Sequence, residues 1–310
     1  MSEVRPLSRL TFVVGPTASG KTALAIDIAQ KTNAEIISAD SVQFFEELKI
    51  GSARPTDQEL ALVKHHFVGH VSVAQDYTAG DFARDAMDLI QKNPSQNYVV
   101  VGGSGFYIQA LEKGMYPTDR SSEAAQDRIE ARVDELGLEA VYRELQKRDA
   151  LTAAKIAVQD RYRIVRALEI LETLPAEQTL SGVKSMFETQ AKLRFPGRTV
   201  QTIGLRIERA RLEPRVKMRT IQMLKAGFVD EVTDLVKRGY DARPALQSVG
   251  YKEVLQYLKG EIPESDLAPL IVRGTLRLAK KQRTWFNRAP ETAWFDAESE
   301  RGEAVRLTDA

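Results

Sequence analysis

Residues Gly15–Thr22 read GPTASGKT, set between an apolar, β-branched run at Leu10–Gly15 and a stretch with helical spacing at Thr22–Gln30. The pattern G-x-x-x-x-G-K-[ST] is matched in full, in the strand–loop–helix setting that gives it meaning. Glycines let the backbone curl until successive N–H groups face one anion, and the following helix adds the positive end of its dipole. Gly15, Pro16, Thr17, Ala18, Ser19, Gly20, Lys21 and Thr22 are therefore the candidate diphosphate or nucleotide site, with Thr17–Thr22 as its main contact stretch. Lys21 supplies a point charge, and the Thr22 hydroxyl can bind a phosphate oxygen or a magnesium ion.

A chain that makes this turn needs a sheet to hang it on. Glu35–Ala39 and Asn97–Gly103 read as two further strands, the latter continuously apolar as in a sheet covered on both faces. Between them Ala79–Gln91 has helical spacing, and strand alternating with helix indicates a parallel sheet. From Thr118 the texture changes, with Ser121–Leu174 rich in Ala, Glu, Arg and Leu at helical periods. After the turn-like Phe195–Thr199, Val200–Ile207 resembles a strand, followed by helical segments over Glu208–Lys225, Val229–Arg238, Lys252–Lys259 and Leu270–Phe286. The expected architecture is α/β, a P-loop NTPase-like parallel sheet flanked by helices. Residues 1–118 and 199–310 form the core, and 119–198 an all-helical insertion.

The chain has 310 residues, no cysteine and a net charge of +1. Disulfides, thiolate nucleophiles and Cys-containing zinc sites are excluded, and nucleic acid could be held only by local basic patches. No signal peptide or membrane-length apolar run is visible, so a cytoplasmic enzyme with no membrane association is expected, and nothing suggests an obligate protein partner.

The loop specifies a diphosphate without specifying a reaction. Hydrolases and kinases of this class normally hold magnesium with an Asp at the end of a buried strand, whereas Tyr98–Val101 runs into Gly102-Gly103-Ser104. Asp40, after Glu35–Ala39, is the acid in a comparable place, open at this point to service as metal ligand, general base or turn cap. His65, His66 and His70 suggest a metal cluster by count alone, but without an assured carboxylate partner they read as packing or surface residues.

GPTASGKT, Asp40-Ser41-x-Gln43 and Ile50-Gly-Ser-Ala-Arg-Pro-Thr56 together resemble the tRNA dimethylallyltransferase (isopentenyltransferase) family of bacterial type. The resemblance continues through His65-His66-Phe67, Tyr77–Phe82, Val101–Tyr107, Arg163–Glu169, Gly227–Val232, Gln247–Glu253 and Ala279–Trp285. It implies transfer of a dimethylallyl group from dimethylallyl diphosphate to N6 of the adenosine 3′-adjacent to the anticodon in tRNA, with diphosphate released. Asp40 would then be the base, Lys21 and Thr22 would assist the departing diphosphate with Mg2+, and Arg209 is the favoured extra cation among Arg209, Arg211 and Arg215. The implied partners are the anticodon stem-loop of tRNA and dimethylallyl diphosphate. Asp40, Ser41, Val42 and Gln43 would contact the adenosine, with Ser104 nearby. Tyr162, Arg163, Ile164, Val165 and Arg166, together with Leu246, Gln247, Ser248, Val249, Gly250 and Tyr251, would meet the anticodon loop. Lys280 and Lys281 belong to a basic, aromatic C-terminal cluster suited to RNA, in which Trp285 reads first as a core anchor.

The chain departs from the usual family pattern in three places: Val42 where Arg is common, Phe45 where Tyr is common, and the segment Gln159-Asp160-Arg161-Tyr162 before Arg163. The competing readings are an adenylate isopentenyltransferase, which shares the loop and the acid, and a P-loop kinase or nucleotide-gated RNA-binding protein.

Overall fold

A computed structural model describes residues 8–115, 123–190, 194–289 and 291–309. Strand β1 (Ser8–Val14) enters the glycine loop, helix α1 (Lys21–Thr32) leaves it, and β2 (Ala34–Ser38) follows. After α2 (Asp57–Leu62), β3 (His65–His66) and α3 (Ala79–Lys92), strand β4 (Asn97–Gly102) runs into α4 (Gly105–Lys113). Thr56 and Thr78 start α2 and α3 with reciprocal capping boxes to Glu59 and Asp81, satisfying N–H groups that the first helical turn leaves free.

Residues 112–194 form a unit of their own, built from α5 (Glu123–Leu136), α6 (Leu138–Arg148), α7 (Ala150–Ala153), α8 (Arg161–Thr173) and α9 (Leu180–Gln190). It has a private core of Ile129, Val141, Leu145, Ile164, Leu168 and Leu171. Asp149 fastens α7 to α9 by accepting hydrogen bonds from Thr152 and from the N–H and hydroxyl of Ser181. The expected 118/119 boundary lies outside the described residues, and at the other end the division falls between Arg194 and Phe195.

The sheet unit resumes with β5 (Arg198–Arg206), α10 (Arg209–Lys225), α11 (Phe228–Lys237), α12 (Tyr251–Leu258), α13 (Glu264–Phe286), β6 (Ala293–Asp296) and α14 (Arg301–Arg306). Among the described residues the sheet has the order β3-β2-β4-β1-β5-β6, every pairing parallel. Successive side chains of the central strands go to opposite faces. Val13, Ile36 and Val99 pack with α1 on one face, and Phe12, Ile37 and Val100 with α3 and α4 on the other. Both faces are therefore closed.

The two edge strands are absent from the sequence reading, because two and four residues are too short to show a period. Helix α13 starts at Glu264, upstream of the expected Leu270. Pro269 lies near enough to its start that few intrahelical hydrogen bonds are lost.

Register aligns the strand ends. Val14 of β1 lies opposite Gly102 of β4 and Gly204 of β5, while Ser38 of β2 lies opposite Val101. The Ala39 N–H continues the ladder by donating to the Val101 carbonyl at 2.8 Å. A Cβ placed on Gly102 would lie 2.1 Å from the Ala39 carbonyl oxygen, so only glycine fits there without moving backbone. Gly102→Ala is expected to cost about 1–3 kcal/mol of stability by overpacking. Urea unfolding read through Trp285 and Trp294, both in the sheet unit, tests this; an unchanged midpoint would show that the Ala39 carbonyl gives way freely.

Candidate active site

The loops leaving the C-terminal ends of β1, β2 and β4 enclose a cavity of about 400 Å³, in the usual place for ligands of open α/β sheets. Gly15, at φ +147, tucks the start of the glycine loop against β5, where an added Cβ would meet the Leu205 carbonyl oxygen at 2.6 Å. Gly20, at φ +90, turns the chain into α1. Thr17, Ala18, Gly20, Lys21 and Thr22 line the cavity. Gly15, Pro16 and Ser19 do not: they shape the loop from behind, and Ser19 is fully buried.

The Lys21 ammonium folds back to donate to the Pro16 carbonyl at 2.6 Å. Burial pushes its pKa down to about 8; Asp40 opposes this shift and Arg219 adds to it. Arg219 reaches the Thr17 hydroxyl at 3.5 Å and is likewise lowered by burial, with Asp40 pulling it back. Gln282 of α13 accepts from the Thr17 N–H at 2.7 Å, and its amide nitrogen would lie 2.4 Å from a Cβ on Gly103.

Asp40 lines the same cavity, its Oδ1 accepting from the Val42 N–H at 3.0 Å. The Ser41 N–H donates to the Ser104 hydroxyl at 3.1 Å, joining the ends of β2 and β4. Val42 and Gln43 line the wall beside Asp40, and Ser248, Val249 and Gly250 complete it. An apolar flank comes from Val216 and Met223 of α10 and Ile271 and Leu278 of α13. The cavity thus combines a glycine-rich loop flanked by two cations, the carboxylates of Asp40 and, toward α2, Glu59, and an oily side.

Several expected site residues lie elsewhere. Arg209 is 80% exposed at the start of α10, with Glu213 as its ionic neighbour, and it does not line the cavity. Arg211 pairs with Asp296 and Glu298, and Arg215, at the cavity edge, with Glu298. One turn further along that stripe stands Arg219. It is the arginine at the glycine loop, and extending the i, i+4 series from Arg211 and Arg215 would have found it.

Of the residues expected to meet RNA, Ile164, Val165, Leu246 and Tyr251 have buried side chains. The first two fill the insertion core, Leu246 is sealed beneath α11 and α12, and the buried Tyr251 gives its hydroxyl to Glu231. Tyr162 is 75% exposed, Arg163 is exposed, and Arg166 is held by Glu169. Gln247 is exposed at the surface. Lys280 and Lys281 flank a shallow depression with Thr284, Trp285 and Arg288. Trp285 is half a core residue, lying across Gly105 yet 39% exposed. Of the histidines, His66 bonds Glu35 at 2.6 Å, His70 packs edge-on against Phe44 and Tyr77, and His65 bonds the Val63 carbonyl.

Residues 43–289 match the model of the IPP transferase family. A tRNA dimethylallyltransferase of Bdellovibrio bacteriovorus is 40% identical over 291 residues, 93% of each chain. One from a Bradyrhizobium species is 36% identical over 299 residues, 95% of this chain and 96% of that one. Among solved structures, the tRNA isopentenylpyrophosphate transferase of Bacillus halodurans aligns with a TM-score of 0.70 at 30% identity, over 97% of this chain and 96% of the other. A eukaryotic dimethylallyltransferase acting on tRNA shares the fold, with a TM-score of 0.80 at 23% identity over 98% and 78% of the two chains.

Because burial pushes the Lys21 pKa down to about 8, the cavity loses one of its two cations as pH rises through that value, Arg219 remaining charged. A bound anion favours the protonated form, so affinity for inorganic diphosphate should fall above pH 8, by at most about tenfold per pH unit. Calorimetry from pH 7 to 9.5, with Lys21→Met as the baseline for the ligand's own titration, checks this. Parallel curves for the two proteins would remove Lys21 from the site.

Proposed function

This chain belongs to the IPP transferase family, and we propose on that premise how its cavity divides the work of a tRNA dimethylallyltransferase. The reaction moves a dimethylallyl group from dimethylallyl diphosphate to N6 of the adenosine 3′-adjacent to the anticodon, releasing diphosphate. Carbon–nitrogen bond formation and loss of the diphosphate oxygen occur at the same carbon, so the chain must hold donor and acceptor in line.

The carrying observation is that the glycine loop and Asp40 share one cavity, and that the strand between them ends in two residues without side chains. The strand order puts β4 between β1 and β2, so the two strand ends stand roughly 10 Å apart, twice the spacing between neighbours. The intervening strand ends in Gly102-Gly103. The diphosphate lies on the glycine loop between Ala18 and Thr22, the Thr17 N–H being held by Gln282, with Lys21 and Arg219 as its cations, and the prenyl chain lies against Met223, Val249, Ile271 and Leu278. Asp40, across the glycines, accepts the proton that N6 sheds as its lone pair forms the new bond. Departing electrons stay on the diphosphate, where the loop's donors and both cations stabilise them.

Magnesium fits the donor set. Thr22 and Asp40 both line the cavity, and this cation commonly takes one or two protein oxygens when phosphates supply the rest. Thr22 would hold it, and the ion would neutralise charge on the leaving group.

The acceptor enters along Asp40, Ser41, Val42 and Gln43, flipped from its stack as a buried amine must be. Lys280 and Lys281, beside the half-exposed Trp285, hold RNA phosphates, and the exposed Tyr162 and Arg163 of the insertion offer a stacking plane and a charge.

Radiolabelled dimethylallyl diphosphate should label an anticodon stem-loop; labelling of AMP instead would overturn the acceptor assignment. Asp40→Asn should lower turnover about 10²- to 10⁴-fold while the stem-loop still binds, and wild-type turnover in that variant would remove Asp40 as the base. Replacing Lys280 and Lys281 by alanine should weaken stem-loop binding and reduce the slope of log affinity against log salt by about 0.7 to 0.9 for each phosphate that is no longer neutralised. An unaltered slope would make that face of α13 structural.

A further inference from the structure

The acceptor wall hangs on a side chain outside the cavity lining. Glu231, in the first turn of α11, receives the N–H groups of Lys49 at 2.9 Å and Ile50 at 2.7 Å on Oε2. Its Oε1 accepts the N–H of Gly51 at 3.1 Å and the Tyr251 hydroxyl at 2.8 Å. Four donors thus converge on one carboxylate, an arrangement that an ionised acid satisfies and a neutral amide cannot.

The turn so gathered is pressed flat. A Cβ on Gly51 would lie 2.1 Å from the Phe228 ring and 2.5 Å from that of Tyr251. Ala53 closes the turn with its N–H to the Ile50 carbonyl at 2.9 Å and stands at φ +48, a conformation a non-glycine residue adopts only when held. The carbonyls that emerge, those of Ser52 and Ala53, accept from the Gln43 amide at 3.3 and 3.2 Å, while the Gln43 carbonyl accepts from the Ser38 hydroxyl at 3.1 Å. Gln43 is fixed at both ends of its amide, and one of those ends is set by the clasped turn.

We propose that Glu231 is a positioning residue for the acceptor: it fixes the Lys49–Gly51 turn, which sets the Ser52 and Ala53 carbonyls, which orient Gln43 beside Asp40. The proposal rests on the reading that the Gln43 wall receives the adenosine. Glu231 contributes nothing to the cradle, whose contacts are with Gln282 and Arg219. Its loss therefore falls on the acceptor side alone.

Steady-state kinetics of the full chain with dimethylallyl diphosphate and an anticodon stem-loop test this, alongside calorimetric binding of inorganic diphosphate. In Glu231→Gln the amide NH2 faces at least one donor, and kcat/KM for the stem-loop should fall about 10- to 100-fold. KM for the donor and affinity for inorganic diphosphate should stay unchanged. In a Gln43→Ala background the same change should cost little more, because the two residues act through one chain of contacts. Independent, multiplicative losses, or an equal loss of diphosphate affinity, would overturn the proposal. If Glu231→Gln does not fold, Tyr251→Phe removes one of the four donors and leaves the carboxylate in place. It should show the same split between acceptor and donor at smaller amplitude, and no split there overturns the proposal as well. Failure of the wild-type protein to modify the stem-loop while still binding diphosphate would instead sink the acceptor reading.

Discussion

Everything at the site depends on three parallel strands ending together. The β1–β4–β2 ladder puts Val14, Gly102 and Ser38 at one edge, and each strand hands over to a loop with one task. The middle strand accomplishes this by having nothing to offer: Gly102 lies so close to the Ala39 carbonyl that no side chain fits, and Gly103 makes way for Gln282. Where hydrolases built on this plan carry a strand-end acid, β4 runs into Gly102-Gly103. The acid stands one strand over, at Asp40.

The charges around the cradle are sorted by pairing. Arg211 and Arg215 have carboxylate partners at Asp296 and Glu298 beyond β6, and Arg209 lies in solvent. Arg219 and Lys21 are drawn inward, where burial weakens their hold on a proton and Asp40 partly restores it. Two cations drawn inward beside a single carboxylate leave a net positive charge, which costs free energy without a ligand and favours an incoming anion.

What can be read from the sequence is what is local. The glycine loop, β1, β2, β4 and the helices between them declare themselves within a dozen residues each, and Asp40 stands out because it ends a strand. The cradle arginine does not, since its contact with Thr17 spans 202 positions, and helical arginines look alike until a partner separates them. Leu246 and Tyr251 belong to a stretch that carries the family pattern, yet Leu246 is packed in the core and Tyr251 is buried with its hydroxyl on Glu231; Ser248, Val249 and Gly250 are the residues that reach the cavity. Glu231 sits in the Gly227–Val232 motif, with nothing nearby to show that it clasps a turn some 180 positions away. The edge strands β3 and β6 are illegible because two and four residues are too few to display an alternation.

The two sides of the cavity are written in different alphabets. The donor side is largely main chain: glycine torsions and N–H groups, which survive many changes of side chain so long as the few obligatory residues remain. The Gln43 side is written in side chains, and under the role proposed for Glu231 its spelling passes through one carboxylate that no substitute reproduces, since aspartate is too short to reach and glutamine has donors where acceptors are needed. Drift in such a protein would therefore be uneven. A chain could lose its grip on the acceptor through one substitution far from the chemistry and still hold a diphosphate as well as before.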